Sequence, residues 1–277
     1  MKQTPWLVGT RLPTRNLRLY CFSYAGGGAH AYTPWQRALG PNIELSAIQM
    51  PGRGARMGEP PVESMTQLVE TLVDVIVSDA DMPYAFFGHS LGGLIAFEVA
   101  RCLARQRKTM PQRLIVSGCA APQHRNQSRQ LHRLSDDALI QALADYNGTP
   151  PEILANQELM ALLLPMIRAD FGLAERYAYL AGPSLDIPIS VFAGTEDQHV
   201  SSAGKWAEES SVTCRVHSFE GDHFFIHTRR DAVVACLKRE LESDILSLPW
   251  KTNATAFLRI GKCEGSAPGH PPLVSVG

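Results

Sequence analysis

The sequence predicts an α/β fold, a mainly parallel sheet flanked by helices with a helical insertion late in the chain. Three observations carry that expectation. Short apolar runs alternate with amphipathic stretches of helical length, the order in which parallel strands and crossover helices follow one another. Hydrophobic residues make up 45% of the 277 positions and charged residues 19%, which is enough apolar material for a large core and excludes general disorder. A Gly-x-Ser-x-Gly string also stands between an apolar run and a helical stretch, a strand–turn–helix context that gives the string chemical meaning.

Strands are expected at Leu17 to Ser23, Glu44 to Gln49, Tyr84 to Phe87, Arg113 to Ser117, Ile187 to Ala193 and Cys214 to Phe219. After the second, Met65 to Ser78 places Leu68, Leu72, Val75 and Ile76 on one helical face. After the third, Leu91 to Arg105 is rich in Ala and Leu and ends on basic residues, which suit a helix C-terminus. From Pro122 to Pro183 the alternation stops, and only the helical stretches Ser135 to Asp145, Gln157 to Ile167 and Asp170 to Leu180 remain. Structureless loops beyond roughly 12 to 15 residues are uncommon, so the interval 122–183 reads as a helical lid that covers a site. The α/β domain is expected to span 1–247. Residues 248–277 carry Pro249, Pro268, Pro271 and Pro272 among Gly and Ser with no periodicity, and read as a disordered tail. The sequence holds no internal repeat.

Charge and cysteine usage narrow the function. Lys plus Arg (26) and Asp plus Glu (27) leave a net charge of -1, no footprint for a nucleic-acid backbone or an anionic membrane surface. No apolar run approaches the roughly 18 to 20 residues that span a bilayer, and the N-terminus lacks the apolar core of a secretory signal. A soluble, cytoplasmic, monomeric protein is expected. The six cysteines are scattered, with no Cys-x-x-Cys pair and no Cys/His cluster at zinc spacing. No metal site is therefore expected. Five of them read as small core hydrophobes, and Cys263 falls in the tail.

Gly88-His89-Ser90-Leu91-Gly92 follows the strand at Tyr84 and opens the helix at Leu91. Such a turn lifts the Ser90 hydroxyl to its apex, small residues at 88 and 92 let strand and helix approach, and the helix N-terminus faces developing negative charge. A serine needs a base. Of nine histidines, His223 in Gly221-Asp222-His223-Phe224-Phe225 lies between the last strand and the final helix, where the order nucleophile, acid, base puts it. His199 and His227 are its nearest rivals, His89 should point away from Ser90, and His217 lies within a strand. The acid is expected after the preceding strand, where Gly194-Thr195-Glu196-Asp197 offers Asp197, with Glu196 as the alternative; Asp186 comes before that strand, at the wrong end of a parallel sheet. Leu91 N–H supplies one oxyanion donor, and the second should come from Ser23-Tyr24-Ala25-Gly26-Gly27-Gly28. That loop lacks the lysine and the spacing of a phosphate-binding glycine loop.

Several strings together resemble the type II thioesterases of nonribosomal peptide and polyketide synthesis, which have the α/β-hydrolase fold. The resemblance covers roughly residues 17 to 243. It runs through Leu19-Tyr20-Cys21-Phe22-Ser23-Tyr24-Ala25-Gly26-Gly27-Gly28 with Tyr32 and Trp35, Gln49-Met50-Pro51-Gly52-Arg53-Gly54, and Phe87 to Gly93 with Ala96-Phe97-Glu98. It continues in Gly148-Thr149-Pro150, Arg168-Ala169-Asp170-Phe171, Gly194 to Asp197, Trp206 and His223-Phe224-Phe225. Ser23 stands where relatives usually carry proline, and Asp222 where many have glycine. The resemblance implies Ser90 as nucleophile, Asp197 as acid, His223 as base, and the Ala25 and Leu91 N–H groups as the oxyanion hole. It implies no cofactor, since the substrate itself carries phosphopantetheine. Acyl or peptidyl carrier proteins are the implied partners, and removal of misprimed or stalled acyl groups the implied task. Release of a final product and general carboxylesterase activity are the alternatives, and a carrier-binding module without hydrolysis is the rival outside enzymes. Met166, Phe171 and Tyr177 are expected among lid residues that line an acyl chamber. The Gly52-Arg53-Gly54 turn and Arg56 are expected to face the carrier's acidic surface or its phosphopantetheine arm, or else to form surface salt bridges.

Overall fold

A computed structural model of the chain describes residues 4–125, 130–146 and 148–248. The chain divides into a unit of Met1–Leu246 and a second of Ser247–Gly277. Only residues 247 and 248 of the second are described, so the expected tail from 249 onward and Cys263 lie outside the described residues.

The first unit is built on seven strands: β1 (Leu7–Val8), β2 (Leu17–Phe22), β3 (Ile43–Ile48), β4 (Tyr84–His89), β5 (Leu114–Ser117), β6 (Ile189–Gly194) and β7 (Cys214–Phe219). Their spatial order is β1-β3-β2-β4-β5-β6-β7, antiparallel at β1 and parallel elsewhere. The six expected strands are all present. β1 is not among the expected strands: its two residues are too short to show an alternation, and it is held by pairing with Ala47 and Ile48.

The helices are α1 (Gln36–Leu39), α2 (Met65–Asp79), α3 (Leu91–Arg105), α4 (Asp136–Asp145), α5 (Pro151–Leu154), α6 (Gln157–Glu175), α7 (Phe225–Thr228) and α8 (Arg230–Ser247). On one face of the sheet, Leu68, Leu72 and Ile76 of α2 and Leu94 and Phe97 of α3 pack with Phe22, Phe86 and Trp206. On the other, Tyr32 and Trp35 meet Phe87, Phe225 and Leu237. Val75, expected on the buried face of α2, is half-exposed, and Val69 and Val73 complete that face instead. Removing each large side chain from water contributes about 1.5 to 3 kcal/mol, so α3 is gripped along nearly its whole length.

Between β5 and β6 the chain carries α4, α5 and α6, packed on one another through Leu139, Leu143, Met160, Leu164 and Ile167. Where the sequence suggests two helices, the structure has one: α6 runs through Pro165 and the Arg168–Ala169 junction. Proline inside a helix costs about 3 kcal/mol through a lost hydrogen bond and a clash. The buried row Met160, Leu164 and Ile167 crosses it at helical spacing, and that burial outweighs the cost. Among the described residues, no helix is long and apolar enough to cross a membrane.

Candidate active site

Every parallel strand ends at the same edge of the sheet, and the site is assembled there from four connections. After β4 the chain turns sharply at Ser90, with φ 54° and ψ -118°. This is backbone that a non-glycine residue adopts only under strain. The turn is clamped: Ser90 N–H donates to Ser117 O (2.8 Å), and Ser90 O accepts from Gly93 N–H (3.0 Å). A Cβ on Gly88 would stand 2.2 Å from Gly92 O, and one on Gly92 only 2.0 Å from Phe22 O. Both positions must therefore be glycine for α3 to seat against β2 and β4. Leu91 N–H opens α3 beside the Ser90 hydroxyl.

After β6, Asp197 is nearly fully buried and accepts two hydrogen bonds. One comes from the His199 backbone N–H at Oδ1 (3.0 Å), and the other joins Oδ2 to His223 Nδ1 at 2.9 Å. Burial alone would raise this carboxyl. The His223 hydrogen bond and charge, with the His199 backbone N–H, outweigh it and hold Asp197 below its ordinary value. His223 sits in the turn after β7, and the Asp222 carboxylate accepts the Phe224 N–H (2.8 Å), which fixes that turn. Of the alternatives, Glu196 is exposed, with its backbone N–H on Gly221 O, and Asp186 lies before β6.

The remaining histidines surround this pair without replacing it. His89 is fully buried, its Nδ1 2.9 Å from Ser117 Oγ and its ring centroid 5.0 Å from that of His223. Burial first, then the neighbouring histidines, drives its pKa well down, so it is a neutral wall to the His223 ring. His227 Nε2 meets Tyr24 Oη at 3.0 Å, and burial pushes its pKa down too. The His199 ring stands 5.8 Å from the His223 ring.

Ser90 and His223 open onto one cavity of about 810 Å³. The loop after β2 forms one wall, including Ala25. In that loop Gly26 N–H is taken by Asp170 Oδ2 (2.8 Å) and Gly27 N–H by Tyr24 O (2.9 Å), so the donor to a ligand must come from their neighbours. The opposite wall is apolar, with Leu143, Ile153, Leu163, Met166, Ile167 and Phe171 from the inserted helices and their flanks. Met166 and Phe171 are thus at the cavity. Tyr177 is not: it follows the end of α6, packs in the main core and donates to Glu98 Oε1 (2.7 Å). The expectation failed because the helix stops at Glu175, two residues before it.

Arg53 and Arg56 also differ from the surface placement expected for them. Both are buried. Arg53 forms a two-pronged pair with Asp170 (2.8 and 2.8 Å) and donates to Gly27 O (2.8 Å). Arg56 pairs with Glu59, donates to Gln49 O and stacks 4.2 Å over Trp6. The Arg53–Asp170 pair ties α6 to the Gly26–Gly27 loop. Its partners are over a hundred residues apart, and the only sequence sign of it is the presence of both residues in the strings quoted for the resemblance.

The model of the thioesterase domain matches residues 17–241. The chain belongs to the thioesterase family. It is 36% identical to the gramicidin S biosynthesis protein GrsT of Aneurinibacillus migulanus, over 85% of this chain and 93% of that protein. Among solved structures, the RedJ thioesterase of the prodiginine pathway in Streptomyces coelicolor is 34% identical, covers 84% of this chain and 90% of its own, and superposes with a TM-score of 0.77. The type II thioesterase BorB of the borrelidin cluster is 33% identical, covers 87% and 99%, and gives 0.79. The α/β-hydrolase fold and the thioester hydrolase class expected from the sequence are those of the family.

Proposed function

We propose that this thioesterase hydrolyses acyl groups from phosphopantetheinylated carrier proteins of a nonribosomal peptide or polyketide assembly line, clearing misprimed or stalled units. The observation that carries the reading is the 2.9 Å contact of His223 Nδ1 with buried Asp197 Oδ2, with His223 on the wall of the same cavity that exposes Ser90. With its proton held on Nδ1 by Asp197, the imidazole presents a lone pair on Nε2. Ser90 Oγ attacks the thioester carbonyl and its proton passes to Nε2. The carbonyl oxygen becomes an anion that Leu91 N–H and Ala25 N–H receive. Collapse breaks the C–S bond, the Nε2 proton passes to the departing sulfur, the thiol leaves, and the acyl group rests on Ser90 as an ester. Water then repeats the sequence, its proton going to His223 and its oxygen to the acyl carbon, and the carboxylic acid departs as Ser90 regains its proton. A thiolate leaves readily, so discrimination falls to access and to acyl fit against Met166, Phe171 and their neighbours.

The reaction needs neither metal nor redox cofactor. The enzyme acts as a monomer in the cytoplasm, where it meets its carriers. Purified protein is given carriers loaded with acetyl, medium and long acyl groups beside matched small thioesters, and carrier mass is followed. Faster turnover of carriers than of free thioesters supports the reading, and the chain-length profile separates clearance of short units from release of a long product. Equal or faster cleavage of free esters replaces it with a general esterase, and no turnover of any of them with a carrier-binding module.

A further inference from the structure

Behind the His223 ring lies a second cavity, of about 540 Å³, distinct from the one that exposes Ser90. Its lining includes Asp145, Glu196, Asp197 and Asp222 together with His223, and among the described residues it includes no lysine or arginine. The first cavity is the reverse, with Arg53, Arg230 and three histidines and no carboxylate among the described lining residues. The base therefore separates a cation-poor, acidic recess from the substrate side. Asp197 and His223 line the recess, and together with His199 each offers a ligating atom within 4.8 Å of the others.

One carboxylate and two imidazoles are the ligand set of zinc and of the later first-row metals. Bonds of about 2.0 to 2.2 Å to such ligands bring ligating atoms to about 3.3 to 3.6 Å of one another in a tetrahedron, so the half-exposed His199 ring moves inward to complete the set. Carboxylates at Asp145, Glu196 and Asp222 raise the local concentration of a cation without joining it.

We propose that Asp197, His199 and His223 form an inhibitory site for a zinc-class divalent metal. Asp197 Oδ2 lies on the Nδ1 side of the His223 ring, so the metal is held through Nδ1. There it replaces the proton shared with Asp197, and the ring's remaining proton sits on Nε2. With Nε2 protonated, the imidazole no longer serves as base. The metal binding is independent of catalysis, whereas the inhibition rests on His223 acting as the base.

The two are tested separately. Zinc binding is measured by calorimetry on Ser90→Ala and on Ser90→Ala/His199→Gln, and cobalt absorption on the same proteins reports imidazole ligation. Zinc inhibition of the parent and of His199→Gln is then followed with a small thioester, each normalised to its own metal-free rate and checked for reversal by chelator. The site predicts binding in Ser90→Ala that weakens at least tenfold without the His199 ring, since even outer partners of metal ligands are worth about 10- to 100-fold. It also predicts a matching shift in the inhibition midpoint, with magnesium inert. Absence of binding in Ser90→Ala, or equal affinity in the two variants, overturns the site. Binding that follows His199 without inhibiting the parent upholds the site and contradicts His223 as base.

Discussion

Removing Asp170 tests whether the inserted helices are anchored through a buried charge. Asp170 is fully buried and Arg53 nearly so. The pair makes two direct bonds of 2.8 Å, and each partner reaches a further backbone group, Gly26 N–H and Gly27 O. In Asp170→Ala the guanidinium keeps its burial and loses its counter-charge, a loss of about 3 to 5 kcal/mol for a pair in such a setting. Arg53→Met strands the carboxylate in the same way and should lose a similar amount. Replacing both, as Arg53→Met/Asp170→Leu, leaves no uncompensated charge, only two backbone groups short of a partner at about 1 to 3 kcal/mol each. Summed single losses of about 6 to 10 kcal/mol against about 2 to 6 kcal/mol for the double variant leave the double about 4 kcal/mol short of additivity. Urea unfolding gives all three values, and thermal unfolding should show each single variant roughly 6 to 20 °C below the parent. Single losses under about 1 kcal/mol, or strict additivity, would refute the anchoring argument.

Other outcomes follow from the same geometry. Asp197→Asn keeps the shape of the acid but no longer enforces a proton on His223 Nδ1, so kcat should drop by about 10³- to 10⁴-fold; a loss under tenfold would move the acid elsewhere. Asp197 is also held below its ordinary carboxyl value of 3.8, so the unfolded chain binds the proton first. The stability it contributes is complete above about pH 4 and disappears as pH falls through the folded value. The stability gap between parent and Asp197→Asn should accordingly narrow from pH 6 to pH 3, and a constant gap would contradict the shift. Gly92→Ala places a Cβ 2.0 Å from Phe22 O and should cost about 3 kcal/mol or more. Gly58→Ala, whose Cβ meets nothing within 4 Å, should stay within about 0.5 kcal/mol in the same denaturation series.

The sequence revealed the elements whose physics is local. Buried parallel strands are largely apolar runs, so β2 to β6 are readable, whereas the edge strand β7 is only partly buried and is read from its place in the strand–helix alternation. Ser90 was readable because its turn demands glycine on both sides, and Asp197 and His223 because strand order alone places them at one edge. What escaped depends on tertiary packing. Nothing local marks Leu7–Val8 as a strand, and Pro165 reads as a helix break until the buried row on either side of it is seen. Tyr177 has the composition of a chamber residue but falls past the end of α6, where Glu98 takes its hydroxyl. Arg53 reads as a surface cation for want of any local sign that Asp170 neutralises it. His199 reads as a rival base, and its place beside His223 emerges only when the turns after β6 and β7 meet.

The central claim is that an acyl group passes from sulfur to Ser90 and then to water. Rapid quenching of the enzyme mixed with an acyl thioester, followed by peptide mapping, reads this directly. The account predicts a transient mass gain equal to the acyl group on the peptide that contains Ser90, decaying as free acid appears, with neither adduct nor turnover in Ser90→Ala. Hydrolysis by Ser90→Ala within tenfold of the parent, or an adduct confined to another residue, would contradict it.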